Sequence, residues 1–398
     1  GIFLIYNKSN NFNISKVNVE KNSQGHWLLQ VKDKPFIVKG VVYDPVKIGE
    51  SSENNNLRNW MFYDDNKNNI NDVAFESWLD VNKNNKMDST ESIIGDFQLL
   101  KEMGVNTILL KHIPSNNSVH KKLFRTLFNK YEIRIIMGHY LGAWLYGSGL
   151  PQGSEVDYSN PLHRETIKNS VRAMVKEHKN EPYVLIWMLG NENNVAYWSS
   201  TNAYINLQAY AEFVEEVSQM IHELDPLHPV ALCDGHLNNF PDIKTYNRFC
   251  PSLDIYAINA YMGPNGFSKL WNYVKKEFDR PLLISSFGFH AFDAINNNNS
   301  EKNQKEYLKG CWENILFNSV NKGSGNAIGV IINTFLDCCY LDGDPDLHDK
   351  GKQKWILSND GFKHKEWFGI FAQGNNQHSP FQRVPRQAYN YFKKEWNE

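Results

Sequence analysis

A chain of 398 residues with 41% hydrophobic and 13% aromatic residues has enough apolar surface for a large packed core. Its 42 basic and 44 acidic residues nearly cancel, so charge gives no argument for nucleic acid or an anionic membrane, and we expect a neutral partner. The length exceeds that of a usual single core, although barrels of alternating strands and helices form single domains of more than about 250 residues.

The cysteines and the first residues of the chain exclude little. The five cysteines have no metal-ligand spacing, and the adjacent residues Cys338 and Cys339 are a poor disulfide pair, so the redox compartment stays open. The apolar residues 1–6 are too short to span a bilayer and lack a basic flank. No membrane span is predicted elsewhere.

Two strands are predicted near the beginning of the chain. Residues 27–31 alternate between apolar and polar side chains, residues 32–35 have turn composition, and residues 36–43 form a second apolar run that contains Lys39-Gly40-Val41. This arrangement predicts a hairpin that leads into a first buried strand.

The segment 44–91 is interpreted as a functional insertion, because it has no sustained apolar periodicity and is too long for an ordinary connection. It contains the pattern Asp-x-Asn-x-Asn-x-x-x-Asp twice, starting at Asp64 and at Asp80, a spacing of 16 residues. In the second copy, Glu91 falls at position 12 and completes the oxygen spacing of an EF-hand-type calcium loop. Position 6, normally Gly, is Asn85, which tolerates the left-handed conformation.

The second copy therefore predicts a structural calcium site, and the first copy is a less complete candidate. The predicted ligands are Asp80, Asn82, Asn84, Lys86 through its backbone carbonyl, Asp88 and Glu91. Calcium would order a polar segment that cannot bury enough surface by itself. The alternative is a solvated loop in an Asn-rich chain.

From residue 93 onward, helical and strand patterns alternate. Helices are predicted within residues 93–104, 123–128, 161–175, 207–224, 270–278 and 307–320, and strands at residues 105–110, 133–137, 183–189, 229–233, 254–261, 281–286 and 327–335. Together with the strand at 36–43, this order predicts an α/β fold, a (β/α)8 TIM barrel, whose site lies at the C-terminal ends of the strands.

The predicted domain organisation follows from these elements. Residues 1–35 form N-terminal strands that pack on the barrel, residues 36–398 form the barrel, and residues 44–91 form the candidate calcium-binding insertion after its first strand.

The strongest site signal is the apolar run of residues 183–189, which ends at Gly190 and is followed at once by Asn191 and Glu192. A buried parallel strand that stops in this way presents an amide and a carboxylate to a cleft. Glu192 is therefore the first candidate for catalysis.

This strand ending resembles the fourth strand of the (β/α)8-barrel retaining glycosidases. The opening Lys39-Gly40-Val41, the seventh-strand segment 281–288 and the tail residues 366–370 and 386–389 are similar to glycoside hydrolase family two barrels and related β-glucan transglycosidases. The resemblance covers roughly residues 27 to 395. It implies that Asn191 binds the sugar 2-hydroxyl and that Glu192 is the general acid/base.

The seventh strand departs from this family at one decisive position. The family's nucleophile is a Glu followed by an aromatic residue and Gly, and here Ser286 occupies the Glu position. Serine carries no charge to stabilise an oxocarbenium ion, and no base is recognisable beside it. The family's second-strand Arg falls at Leu109, and its eighth-strand Trp is absent from residues 332–335, which favours natural divergence over a laboratory substitution.

Further polar and aromatic residues at strand ends predict a mouth that holds sugars by stacking and hydroxyl hydrogen bonds. The predicted substrate-binding residues are Asn191, Tyr261, His112, Tyr140, Trp144, Asn259 and His290. Tyr261 matches the sixth-strand aromatic residue that touches the nucleophile in the resembling family.

We therefore predict a carbohydrate-active barrel with a degenerate retaining site, which binds an oligo- or polysaccharide such as a β-glucan-like glycan with weak or no hydrolysis. One alternative is a pseudoenzyme with a structural or protein-interaction role, and another is an active enzyme with a relocated carboxylate such as Asp234 or Asp293. Calcium is the only expected cofactor, and no nucleic-acid partner is expected. The resemblance and the calcium-type loop favour secretion or the cell envelope.

Overall fold

A computed structural model describes residues 14–113, 119–143, 149–151, 154–195, 199–236, 239–293, 296–341, 343–350, 365–374 and 381–398. Across these ranges, none of the helices combines the length and the apolar character needed to cross a bilayer.

Eight strands close into a parallel barrel in chain order. They are β1 (Val38–Val42), β2 (Thr107–Leu110), β3 (Arg134–His139), β4 (Val184–Leu189), β5 (Val230–Gly235), β6 (Ile255–Asn259), β7 (Leu282–Phe287) and β8 (Ala327–Ile332). Parallel pairing of β8 with β1 closes the ring. The predicted (β/α)8 fold is confirmed.

One helix follows each barrel strand. The helices are α1 (Asp96–Met103), α2 (Lys121–Tyr131), α3 (Pro161–His178), α4 (Leu207–Leu224), α5 (Lys244–Phe249), α6 (Leu270–Glu277), α7 (Glu301–Phe317) and α8 (Gln387–Glu395). The sequence did not predict α5, because this helix has six residues and buries only Tyr246, too few for a periodic apolar face.

Local signals fix the helix ends as the sequence predicts. Pro161 begins α3 after Asn160, whose side chain accepts from the Leu162 N–H. Gly104 ends α1 in the left-handed conformation with φ 85°, and a Cβ at this position would lie 2.7 Å from the Cβ of Trp396. Glycine is therefore required there both by the turn and by the packing of the C-terminal helix.

An N-terminal sheet covers the end of the barrel opposite the site. Strands Val17–Lys21 and Trp27–Val31 pair antiparallel, and Lys34–Pro35 pairs with the second of them. The Val17 N–H donates to the Leu227 carbonyl just before β5, and the Trp27 N–H donates to the Gly325 carbonyl just before β8. Because these contacts precede the strands, they close the N-terminal end and leave the C-terminal ends for the site.

The insertion between β1 and α1 is ordered against the C-terminal part of the chain. It contains a 3-10 turn at Trp60–Phe62, a π-helical turn at Asp72–Glu76 and a strand at Ser77–Leu79. The strand pairs in parallel with Phe381–Pro385, which pairs antiparallel with Phe371–Ala372. Residues distant in sequence thus form one small three-stranded sheet.

A buried ion pair connects this sheet to the barrel. The Arg383 guanidinium donates to both Asp96 carboxylate oxygens at 2.8 and 3.0 Å, and both side chains are at most 1% exposed. The hydroxyls of Tyr43 and Ser77 donate to the same carboxylate at 3.0 and 2.7 Å. Four hydrogen bonds therefore satisfy one buried carboxylate at the start of α1.

Arg383→Met should lower the free energy of unfolding by about 3–5 kcal/mol, because it leaves the Asp96 carboxylate buried without its counter-charge. Arg172→Met is the matched control: its ion pair with Glu165 is 31% and 53% exposed, and its loss should cost less than about 1 kcal/mol. Urea denaturation of the two variants and the parent chain measures both values. Equal losses would show that the buried pair contributes no more than a surface pair.

Candidate active site

Glu192 is held by a tight turn after β4. Gly190 has φ +72°, and a Cβ there would lie 2.4 Å from the Tyr210 hydroxyl, so only glycine fits. Glu192 itself has φ +61°, an unfavourable backbone conformation for a residue with a side chain. Its N–H donates to the Cys233 carbonyl of β5 at 3.2 Å, which fixes the turn against the neighbouring strand.

The Asn259 amide, at the end of β6, connects the β4 residues to β7. Its nitrogen donates to the Asn191 Oδ1 at 3.0 Å and to the Glu192 Oε1 at 2.9 Å. Its oxygen accepts from the Ser285 hydroxyl at 2.8 Å. Since Asn259 is only 3% exposed, it sets the orientation of Asn191 and Glu192 in the mouth.

Ser286 lies on the opposite wall, with its side chain fully buried. The pairing of β6 with β7 shifts register before Asn259, which pairs with Ser286, so Ser285 is the extra residue of a bulge. The Ser286 hydroxyl lies 2.7 Å from that of Tyr261, which accepts from the Asn333 amide at 3.0 Å.

This hydrogen-bond chain contains no base that could activate Ser286. Desolvation raises the pKa of the Tyr261 hydroxyl to about 12, so this group stays protonated at neutral pH. Asn259 donates to Glu192 and pairs with Ser286 between β6 and β7, so Glu192 and Ser286 both lie at the C-terminal ends of the barrel strands.

The barrel interior next to these residues is apolar. Leu109, the position that the family resemblance gives to an Arg, is 2% exposed and belongs to the inner core with Met188, Cys233 and Leu283. The Cys233 thiol carries no charge at neutral pH, because burial raises its pKa to about 12. Leu109 therefore offers no charge that could support an anion at the Ser286 position.

The predicted aromatic residues occupy two places at the mouth. The His112 ring stacks on Tyr140 with centroids 5.2 Å apart, and its Nδ1 accepts from the Tyr140 N–H at 3.3 Å. Burial lowers the pKa of His112 to about 4, so the ring is neutral at physiological pH. His290 lies beyond β7 and stacks on Phe289 at 4.0 Å. Trp144 lies outside the described residues.

Sequence reasoning missed three polar residues at strand ends. Asn333 follows β8 and donates to Tyr261. Asp44 follows β1 and is exposed; desolvation by neighbouring groups raises the pKa of this carboxyl, and the positive charge of Lys111 after β2 opposes the increase. Asn333, Asp44 and Lys111 each lie just past an apolar run, and this position is the signal that could have identified them. Tyr43, the residue before Asp44, is buried, and its hydroxyl donates to Asp96.

The proposed relocation of the second carboxylate to Asp234 is wrong. The Asp234 side chain points from β5 toward the helices, where it accepts from the Tyr246 and Tyr256 hydroxyls at 3.0 and 2.9 Å. Neighbouring residues in a strand point to opposite faces, and Cys233 is the one that faces the interior. Asp293 lies in a short hairpin beyond β7 and accepts from the Asn296 N–H at 3.1 Å.

The Asp80 loop is coiled by its own side chains. The fully buried Asp80 carboxylate accepts from the N–H groups of Asn84 and Asn85 at 3.2 and 2.9 Å. Glu91 accepts from the N–H groups of Val81 and Asp88 at 2.9 and 3.2 Å. The remaining predicted ligands are joined by bonds from the Asn82 amide to Asp88 at 2.6 Å and from the Lys86 N–H to the Asn84 Oδ1 at 2.8 Å.

The loop geometry brings first and last predicted ligands to one turn, and Asn85 adopts the expected left-handed conformation with φ 61°. In the described part of the chain, no three His, Cys, Asp or Glu side chains converge as a metal cluster. A cation in this loop would therefore need amide and backbone oxygens beside the carboxylates, as calcium loops provide.

A closed parallel barrel whose fourth strand presents Asn191 and Glu192 to an aromatic-rich mouth defines a glycosidase-type barrel. Residues 80–335, more than half of the chain, match the family model described as "Glycosyl hydrolases family 2, TIM barrel domain". The chain belongs to glycosyl hydrolase family 2, as the strand endings predicted.

Curated relatives carry glycosidase names. The chain is 23% identical to Beta-glucuronidase of Mus musculus over 272 residues, which are 67% of this chain and 38% of that protein. It is 27% identical to Putative beta-glucuronidase of Formosa agariphila over 224 residues, 55% of this chain and 23% of that protein. A Beta-galactosidase of Priestia megaterium is 33% identical over 108 residues, 26% of this chain and 10% of that protein. The chain thus spans much less than two thirds of these relatives.

Solved structures show the same fold. A beta-D-glucuronidase of Dictyoglomus thermophilum has a TM-score of 0.55 and 18% identity, covering 97% of this chain and 54% of that one. A calcium binding mutant of Bacteroides uniformis beta-glucuronidase 2 has a TM-score of 0.57 and 15% identity, covering 96% of this chain and 36% of that one.

Asp234→Asn should flatten the pH dependence of stability. Because burial raises the pKa of the Asp234 carboxyl to about 7, the folded chain keeps a proton at pH 5 to 6 that the unfolded chain has lost. Stability from this group therefore falls as pH rises from about 4 to about 7, by at most about 1.4 kcal/mol per pH unit.

Urea denaturation at intervals between pH 4 and 8 measures the slope for the parent, Asp234→Asn and the exposed control Asp33→Asn. The control should keep the parent slope. A parallel set of curves for all three chains would show that Asp234 is ionised throughout this range.

Proposed function

We propose that this family 2 barrel binds a β-linked glycan in its mouth and keeps Glu192 as an acid/base, but hydrolyses the glycan weakly or not at all. The observation that carries the proposal is the buried Ser286 hydroxyl at the nucleophile position, hydrogen-bonded to Tyr261. The apolar Leu109 in the nearby interior supports it.

The chemistry of retention explains the weak turnover. A retaining glycosidase uses two carboxyl groups about 5 to 5.5 Å apart, one to protonate the leaving oxygen and one to form a bond to the anomeric carbon. The hydrogen bond from Asn259 to the Glu192 carboxylate supports the role of Glu192 as the proton donor. Among the described residues, the Ser286 hydroxyl is hydrogen-bonded to Tyr261 and not to a base, and serine has no charge to stabilise the oxocarbenium ion, so the covalent step lacks its nucleophile.

The substrate class follows from the mouth and from the names of the relatives. Stacked His112 and Tyr140 and the amides of Asn191 and Asn259 suit sugar rings and hydroxyls. The relatives are named for β-glucuronides and β-galactosides, whereas the sequence suggested a β-glucan-like glycan. All three are β-linked, and we propose this shared linkage without choosing among the sugars.

Ser286→Glu should create hydrolysis of activated aryl β-glycosides. The introduced carboxylate would attack the anomeric carbon while Glu192 protonates the leaving oxygen, and water would then cleave the ester with Glu192 taking its proton. Adding Leu109→Arg should increase the gain, because an unpaired buried carboxylate resists ionisation. Adding Glu192→Gln to these variants should lower their hydrolysis rate by about 10²–10⁴-fold.

Release of 4-nitrophenol from the β-glucuronide, β-galactoside and β-glucoside measures these rates. Ser286→Gln is the matched control, since it introduces a side chain of the same size at the same position without a charge and should gain nothing. Efficient hydrolysis by the unmodified chain would contradict the proposal of weak turnover, and hydrolysis that survives Glu192→Gln would contradict the role of Glu192. Glycan binding without any gain in the Ser286→Glu chains would favour the pseudoenzyme alternative.

We also propose that the Asp80–Glu91 loop binds calcium with a structural role. The coiled loop, its left-handed Asn85 and the buried Asp80 support this assignment. The Asp80 carboxylate also accepts from the Gln382 amide at 2.6 Å, so an ordered loop stabilises the small sheet formed with the C-terminal part. A calcium binding mutant among the structural neighbours is consistent with calcium in a barrel of this fold.

Chelation should lower the melting temperature of the chain, and added calcium should restore it, because a cation bound only by the folded loop stabilises the fold. Glu91→Gln should reduce this response, whereas Glu53→Gln, an exposed change in the same insertion, should not. Differential scanning calorimetry with EDTA, calcium or magnesium measures the response. Identical melting curves in EDTA and calcium would exclude a structural calcium site.

A further inference from the structure

The first Asp-x-Asn-x-Asn loop of the insertion has the same backbone course as the second. Its positions 4 and 6, Lys67 and Asn69, are left-handed with φ 58° and 65°, as are Lys83 and Asn85 with φ 60° and 61°. The Asp64 carboxylate accepts from the N–H groups of Asn68 and Asn69 at 2.9 and 3.0 Å, which repeats the bonds of Asp80. The two loops are therefore structural repeats.

A buried carboxylate oxygen in the first loop has no hydrogen-bond partner. Asp72, at position 9, is 1% exposed, and its Oδ2 accepts from the Asp65 N–H at 2.7 Å. Its Oδ1 is buried and receives no hydrogen bond from the described residues. Glu76 ends the same π-helical turn, so a second carboxylate lies near the buried Asp72. Such an arrangement is costly unless a cation or a proton lies between them.

The π-helical turn explains why the sequence pattern missed Glu76. In the second loop, the closing acid is Glu91 at position 12, whereas position 12 of the first loop is Phe75. The turn Asp72–Glu76 is π-helical, so its i→i+5 hydrogen bond encloses one residue more than that of an α-helix. The extra residue brings Glu76, at position 13, against the side-chain amides of Asn66 and Asn68 at 3.0 and 2.6 Å.

We infer that the loop Asp64–Glu76 binds a second divalent cation of the hard, oxygen-preferring class, such as Ca²⁺. The ligands would be the side-chain oxygens of Asp64, Asn66, Asn68, Asp72 and Glu76. The loop carries three carboxylates and two amides, the donor types that Ca²⁺ prefers, and binding would bring the three carboxylates closer together than they lie in this structure. Rotation of the Asn66 and Asn68 amides would turn their oxygens, in place of nitrogens, toward the cation. The inference does not depend on glycan binding by the barrel.

Calcium titration of the chelator-stripped chain by isothermal calorimetry tests the inference through stoichiometry. The parent chain should bind two equivalents, Glu76→Gln one, Glu91→Gln one, and the exposed control Glu53→Gln two. A parent stoichiometry of one that Glu76→Gln retains and Glu91→Gln abolishes would overturn the second site while leaving the Asp80 loop intact. No binding at all would overturn both.

Asp72→Asn provides a variant that should fold without the cation. The new amide can donate to Glu76 and so satisfy the facing acceptors, which should raise the melting temperature in EDTA above that of the parent. The same variant should lose one equivalent of calcium. The inference is wrong if Asp72→Asn still binds two equivalents of calcium. It is also wrong if the parent chain binds one equivalent and Asp72→Asn changes only the pH dependence of melting, because a proton shared by Asp72 and Glu76 then takes the place of the cation.

Discussion

The buried pair of Asp96 and Arg383 is the interaction on which the arrangement around the first barrel strand depends. The Asp96 carboxylate accepts hydrogen bonds from Tyr43 after β1, from Ser77 of the inserted strand and from Arg383 of the C-terminal strand. Because each charge would be costly alone in this interior, the segments are stable only when all are in place. The inserted strand also lies directly between the two Asp-Asn loops, so the pair fixes the position of both.

The mouth is organised by neutral amides where a retaining enzyme would use paired charges. Asn259 holds Asn191 and Glu192, while Asn333 and Tyr261 hold the Ser286 hydroxyl. This arrangement holds Glu192, the proposed acid, in position without an anion at Ser286. Leu109 and Ser286 form a consistent pair in this respect, since neither introduces an uncompensated charge into the apolar interior.

Much of the fold was predictable because buried strands and amphipathic helices have distinct periods. The bounds of α4, Leu207–Leu224, matched the sequence prediction, and β7 differed from it by one residue at each end. The short helix α5 gave no periodic signal. In the site, Glu192 followed an apolar run and was easy to find, but the connecting role of Asn259 depends on contacts among three strands that no local pattern contains. To predict that the Asp234 side chain points toward the helices, one would have had to know which face of β5 lines the barrel interior.

The small sheet formed by the insertion and the C-terminal strand also constrains biosynthesis. Asp96 and Arg383 are 287 residues apart, so the ribosome must add that much chain before the partner exists, which takes tens of seconds at about 5–20 residues per second. The acidic insertion is synthesised early and lacks its final neighbours until the C-terminal strand has been added. During that interval the insertion's large apolar side chains, including Trp60, Tyr63 and Trp78, lack the cover that the finished fold gives them.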